Sequence, residues 1–481
     1  MKNILYTFLD KYKYLIFFVL LIASMVYNAK KDFDRYIDTG RQIGNYIAVE
    51  SGDTDGYIWP MDELRDNGIY PVQESDGKIL VGRGPYYGFL YFVFSLFLDK
   101  PVALDLVAIV QIILLALSIT LLLKECEMYI KHKGIIYFFM ILILLLKPAW
   151  NIGWFIFTEA FALSCVIFFC ITYNKFTESN RYLWLLLSGV FLGYASTMKP
   201  YLFPVYAIVG IIYLVANYNK LKNLIIYLCV FSAPVIIMCL PFTYHNYHNY
   251  KIFAPVQNTT WAGYKPNPAF LATREFVKSF GENSTFWDDG ALIKYFYCAS
   301  DSFDVNMKFP EKYIATGYTI NDIENLRDSI LKATSDTRSN EHVIEYVCAE
   351  TERIKNLYFI EHPVKKFTYR ILSFTKYAVC THHYFSLNKD YSLRNIIRYI
   401  VRNFLSVAYY YILLLGVIGI IQCKNQRSLW AYYGIFLWIV LFFGLWSGFP
   451  ESRMFVIGYY MLLPGAILFT DCIYSKYIVR K

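Results

Sequence analysis

Two short constellations in this chain have the residue types and spacing for chemistry at a membrane surface. The first is Asp32-Phe33-Asp34-Arg35-Tyr36, about one turn beyond an apolar run at Tyr14 to Tyr27. The second is Arg83-Gly84-Pro85-Tyr86-Tyr87, where the chain turns back into apolar sequence. A carboxylate can take the proton of an attacking hydroxyl, and a guanidinium can hold a phosphate through paired N–H donors. An acid at the lipid surface followed by a basic return into lipid suits a substrate with a charged headgroup on a long apolar tail. Asp32 and Asp34 both stand as the base. Glu159, at the head of the run Ala160 to Ile171, and Lys199, between two apolar runs, add ionisable groups where lipid makes them expensive. Taken singly each has a plainer reading: Asp32 a solvated loop acid, Lys199 a lysine snorkelling to the interface, Glu159 a carboxylate at a helix N-terminus, Arg83 and Arg453 surface charges.

The elements that must position them are membrane spans. The chain is 57% hydrophobic and 17% charged over 481 residues, more apolar surface than one soluble core needs. Apolar runs occur at Tyr14 to Tyr27, Val102 to Leu123, Ile135 to Leu146, Phe155 to Tyr173, Tyr182 to Met198, Tyr201 to Ala216, Leu224 to Phe242, Phe404 to Ile421, Leu429 to Phe443 and Met454 to Thr470. They are continuous rather than alternating, which argues for helices and against a β-barrel. The fold class is an all-α polytopic membrane protein. The first apolar run lacks a small-residue cleavage site after it and reads as a retained anchor.

The net charge of +9 is not spread as a nucleic-acid surface would be. Lys11 and Lys13, Lys131 and Lys133, Lys175 and Arg181, Lys220 and Lys222, and Lys424 and Arg427 fall in short linkers, the pattern of cytoplasmic loops. The stretch from Ala29 to Gly84 instead holds eleven acids and seven bases, a net of −4, and reads as exported. Pro85 to Leu98 is fourteen residues, short for a crossing, and is expected to re-enter or lie at the interface. Ten crossings then put Asp32, Arg83, Glu159, Lys199, His245, Asn246 and Arg453 on one face.

Three regions follow: residues 1–242 as an N-terminal transmembrane module containing the loop 29–84, residues 243–398 as an exported, mainly helical domain, and residues 399–481 as C-terminal transmembrane helices. Ile37, Ile43, Ile47 and Val49 predict a weak amphipathic helix after the Asp cluster. Apolar residues at three- and four-residue spacing predict helices from Ile320 to about Phe374, with Pro363 dividing them into at least two. Cys298, Cys348 and Cys380 allow one disulfide in the exported segment. His382-His383 offers metal ligands, though adjacent loop histidines are more often solvated. No glycine-rich phosphate loop stands in a usable context, so nucleotide hydrolysis has no support.

The order of motifs is Asp-x-x-x-Tyr after the first span, RGPYYGFLYFVFSLF, FTEAFALSCVIFF, GVFLGYASTMKPYLFP, PFTYHNYHNYKIFAPV and ESRMFVIGYYMLLP. In that order the chain resembles the membrane glycosyltransferases of the GT-C superfold, in the branch of the lipid A aminoarabinose transferases and protein O-mannosyltransferases. The resemblance covers most of residues 1–260 and, weakly, the last three spans. It implies a bundle of about ten or eleven transmembrane helices with surface helices and an enzyme of a bacterial-type inner membrane. The implied reaction moves a sugar from a polyprenyl-phosphate donor to a lipid, glycan or protein acceptor on the extracytoplasmic side, with inversion. It makes Asp32 or Asp34 the catalytic base and Glu159 the second acid. It gives the carrier phosphate to Arg83, Lys199 and Arg453, and the sugar or phosphate lining to Tyr36 and Tyr86. His245-Asn246 stands where relatives often carry Arg-Asn. Gly82 stands where some relatives carry a metal-binding acid, so no cofactor is required and a divalent metal is left as the alternative. The partners implied are the lipid-linked donor, the acceptor and membrane lipids, with no nucleic acid. A transporter or flippase, or a non-catalytic binder of lipid-linked glycans, is the competing function.

Overall fold

The computed structural model describes residues 2–36, 40–75, 78–146, 151–216, 221–257, 267–284, 291–296, 307–335, 341–380, 392–422, 426–448 and 451–477. In chain order these form α1 (Lys2–Arg35), α2 (Asp55–Asn67), a hairpin of β1 (Gln73–Ser75) and β2 (Lys78–Leu80), α3 (Pro85–Ser95), α4 (Lys100–Glu127), α5 (Gly134–Leu145), α6 (Glu159–Ser179), α7 (Tyr182–Met198), α8 (Pro204–Ala216) and α9 (Leu221–Tyr250). Then come α10 (Pro268–Ser279), α11 (Ala291–Phe296), α12 (Ile320–Ser335), α13 (Glu341–Glu361), α14 (Pro363–Phe374), α15 (Leu393–Gln422), α16 (Trp430–Val440) and α17 (Ser452–Tyr477). Among the described residues seven helices are long and apolar enough to cross a membrane, and three shorter apolar helices accompany them. The protein is an all-α polytopic membrane protein, its sheet content a three-residue antiparallel hairpin with Glu74 opposite Ile79.

The chain divides into two compact units. The first comprises residues 1–264, 384–437 and 456–481. Its helices are amphipathic in the inverted sense of a membrane bundle. On α1, Phe17, Leu21, Met25, Ala29 and Phe33 recur every fourth residue and are buried, while Leu15, Val19, Leu20 and Tyr27 stay exposed. Small residues set the closest approaches. A Cβ on Gly189 of α7 would lie 2.3 Å from the Phe231 carbonyl oxygen of α9, and one on Gly419 of α15 would lie 2.3 Å from the Gly465 oxygen of α17. Backbones in such contact gain dispersion that lipid cannot supply.

Several boundaries differ from the sequence reading. The first helix runs on through Arg35, so Asp32 and Asp34 ride on its last turn and the loop begins at Tyr36. Phe155 to Thr158 lie outside any helix, and α6 starts at Glu159. Residues 41–50 do not form the expected amphipathic helix: they bend at residues 44–47 between the bridged Gln42 and Val49, and Ile37 lies outside the described residues. The helix of this loop is α2, closed by Gly68 at φ +72°, whose N–H bonds the Leu64 carbonyl at 3.0 Å. As expected, the re-entry helix α3 is short: eleven residues from Pro85 give about 16 Å, half a bilayer core.

The second unit comprises residues 265–383 and 438–455. It therefore starts later than residue 243, since α9 continues to Tyr250, and it takes in a C-terminal piece. Asn267 caps α10 by accepting from the Ala269 N–H at 2.9 Å, ahead of Pro268 in the first turn. Phe276, Phe280, Tyr295, Phe309, Tyr313 and Tyr358 build its core. The patterned stretch from Ile320 forms three helices, α12 to α14, the last opening at Pro363. Cys348 and Cys380 are free thiols, and Cys298 lies outside the described residues.

Candidate functional site

The site in the first unit is prepared by two polar residues inside the apolar helix α4. Asp105, 5% exposed, accepts four backbone N–H bonds: Asn45 at 2.8 Å and Tyr46 at 2.9 Å on one oxygen, Ile47 at 3.0 Å and Ala48 at 2.8 Å on the other. Consecutive amides converging on one carboxylate bend the chain into a tight turn, which is why no helix forms there. Gly44 is required beside it, because a Cβ would fall 2.1 Å from Asp105 Oδ1. Gln111, fully buried, accepts from the Tyr87 hydroxyl at 2.6 Å and donates to the carbonyls of Gly153 at 3.1 Å and Phe155 at 2.9 Å. The irregular segment before α6 is fixed by these bonds.

The two held segments then join. Val49 forms a parallel bridge with Phe155, and the Thr54 hydroxyl donates to the Ile156 carbonyl at 2.9 Å. The loop carrying Asp53 is thus set against the segment leading into Glu159. Arg83 closes the arrangement: Nη2 bonds Asp53 Oδ1 at 2.5 Å, Nη1 bonds the Asp53 carbonyl at 2.5 Å, and the guanidinium lies 4.3 Å from the Tyr57 ring centroid. The Tyr70 hydroxyl donates to the Arg83 carbonyl. The Tyr57 hydroxyl shares a 3.3 Å contact with Thr158 Oγ1, which donates to Glu159 Oε2 at 3.4 Å. Lys199 Nζ bonds Glu159 Oε1 at 2.9 Å.

The result is an alternating series: Asp53, Arg83, Glu159, Lys199. Glu159 opens α6 and Lys199 ends α7, so two antiparallel neighbours bring these charges to the same end of the bundle. Their side chains are 5% and 11% exposed, a buried pair. Arg83 and Asp53 keep more surface, 17% and 25%. Burial works against the Arg83 charge, but the Tyr57 hydroxyl, Asp53 and Glu159 more than offset it and raise its pKa above the ordinary arginine value. Arg83 keeps somewhat more exposed surface than Lys199, which is engaged by Glu159.

Of the residues expected from sequence, Arg83, Glu159 and Lys199 are brought together. Asp34 is half exposed and paired with Lys30 at 2.8 Å on its own helix. Asp32 is partly exposed on the same last turn, and its carbonyl accepts from the Tyr36 N–H at 3.1 Å. The Tyr36 ring lies 5.9 Å from the Arg41 guanidinium. The buried Tyr86 donates to the Pro255 carbonyl at 2.7 Å, and Asn246, wholly buried, donates to the Ala254 carbonyl at 2.8 Å. Both tie down the chain that follows α9. His245 faces the Tyr70 ring at 6.5 Å and accepts from Asn249 at 3.2 Å. Arg453 belongs to the second unit, where it pairs with Glu451.

Sequence reasoning missed Asp53, Tyr57, Asp105 and Gln111. Asp105 carried a signal, an acid within an apolar run; Asp53 carried none among the other acids of its loop. His382 and His383 lie outside the described residues, among which no group of three or more His, Cys, Asp or Glu is arranged to hold a metal ion. Compared with protein-family models, with curated proteins and with solved structures, the chain matches none.

Proposed function

We propose that this protein transfers a sugar from a polyprenyl-phosphate carrier to a hydroxyl or phosphate acceptor at the extracytoplasmic face of a bacterial-type cytoplasmic membrane, with inversion at the anomeric carbon. The observation that carries the reading is the alternating series Asp53, Arg83, Glu159, Lys199 beside a short helix that turns back without the length to cross. A lipid phosphate gains negative charge as its bond to the sugar breaks, and preorganised cations in a partly dry site favour that state over the intact donor. Arg83 contacts the phosphate, and Lys199 offsets the charge of Glu159, which would otherwise repel it.

On the other side of the sugar, an acceptor hydroxyl oxygen bonds the anomeric carbon, the carbon–oxygen bond to phosphate breaks, and the hydroxyl proton passes to a carboxylate. Asp32 is the first candidate for that carboxylate and Asp34, which pairs with Lys30 on the same last turn of α1, the second. The test is transfer of label from a short-chain polyprenyl-phosphate sugar to an envelope extract by the purified protein. Asp32→Asn is expected to lower transfer by on the order of 100-fold or more while donor binding persists. Full transfer by both Asp32→Asn and Asp34→Asn would remove the base from α1.

A further inference from the structure

Arg83 is already engaged by an anion of the protein's own. Both Asp53 contacts are 2.5 Å, one from the carboxylate and one from the main chain, so the residue grips two N–H groups of the same guanidinium. Its backbone is held in turn: the Asp53 N–H bonds Ser51 Oγ at 3.3 Å, and the neighbouring Thr54 hydroxyl is bonded to Ile156. The carboxylate therefore stays on Arg83 rather than visiting it. With side chains 17% and 25% exposed, the pair keeps some surface, and an anion arriving at Arg83 comes to rest beside the Asp53 carboxylate. Two anions sharing one cation repel, and a half-buried site screens that repulsion less than water does.

We propose that Asp53 is a resident competitor on Arg83, which weakens the hold of that arginine on a phosphate group and so lets the lipid phosphate depart once its sugar has been transferred. The inference rests on the reading that Arg83 meets the carrier phosphate. It gives Asp53 a sign opposite to that of a binding residue. In Asp53→Asn the side-chain oxygen can still accept from Nη2 and the main-chain bond is untouched, so geometry is kept and only charge is lost.

The experiment is a titration of the purified full chain in neutral detergent with farnesyl phosphate, followed by tryptophan fluorescence. Asp53→Asn is expected to bind about five-fold tighter at low salt, with the gain shrinking as ionic strength rises. Asp53→Ser gives the same sign, and Asp53→Glu returns to the wild-type affinity. Arg83→Gln weakens binding and, in that background, Asp53→Asn changes nothing. Farnesol binds all variants alike. A gain with inorganic phosphate and none with farnesyl phosphate overturns the lipid phosphate as the anion in favour of free phosphate. Unchanged or weaker binding by both Asp53→Asn and Asp53→Ser, while wild-type binding still needs Arg83, overturns the role of Asp53 alone. Wild-type affinity indifferent to Arg83→Gln overturns the placement of phosphate on Arg83, and this inference with it.

Discussion

Glu159 and Lys199 hold each other at 2.9 Å with little access to water. Removing one partner of a buried pair costs roughly 3–5 kcal/mol, whereas removing both can be nearly neutral. Lys199→Met is therefore expected to lower the unfolding midpoint in detergent sharply. Glu159→Gln combined with Lys199→Met should recover most of that loss, a non-additivity read directly from a double-mutant cycle. These two residues were legible in the sequence because an ionisable group at the margin of an apolar run rarely lacks a partner. Arg83 was legible for the same reason, standing before Pro85 at the return to lipid. Asp53 was not: nothing local separates it from ten other acids between Ala29 and Gly84, and its meaning comes from an arginine thirty residues away.

Among the elements, the apolar runs set α1, α4 to α9 and α15 to α17, since lipid leaves backbone amides no other partner. The loop from Gly40 to Thr54 escaped that logic. Its period suggested a helix, and its shape is instead dictated by Asp105, whose carboxylate takes four successive amides some sixty residues earlier in the chain. Hydrogen bonds to a charged group contribute about 1.5–3 kcal/mol each, so this single side chain outweighs a weak helical preference. Asp105→Asn puts an amide NH2 where an oxygen received two N–H groups. It is expected to abolish the slow hydrogen exchange of residues 45–48 and to open residues 44–54 to protease, while exchange in α7 and α9 stays unchanged. Equal loss of protection throughout the bundle would show that the contact serves general stability instead.

At the scale of the whole molecule, the second unit carries a pH dependence of its own. Glu282 is largely shielded; burial alone would raise its pKa, but the Tyr313 and Tyr377 hydroxyls, with Lys376 and Lys312, hold it below the usual glutamate value. A carboxyl depressed on folding stabilises the fold fully above its unfolded pKa, near 4.3. That contribution fades as pH falls from there through the folded value. Thermal unfolding of the wild type should thus lose stability as pH falls below about 4.3, and Glu282→Gln should flatten that slope. Sequence patterning marked the stretch that forms α12 to α14 but neither α10 and α11 nor the return of residues 438–455 to this unit, a contact between distant segments that no local period encodes. In the first unit, α6 is both the least apolar and the most buried of the seven long helices, and it begins with Glu159. Such a segment has little to gain from lipid on its own. During biosynthesis it would leave the insertion machinery only when α4 and α7 are there to receive it, so the charge series at its head also marks the step at which the bundle stops being a set of separate spans and becomes one protein.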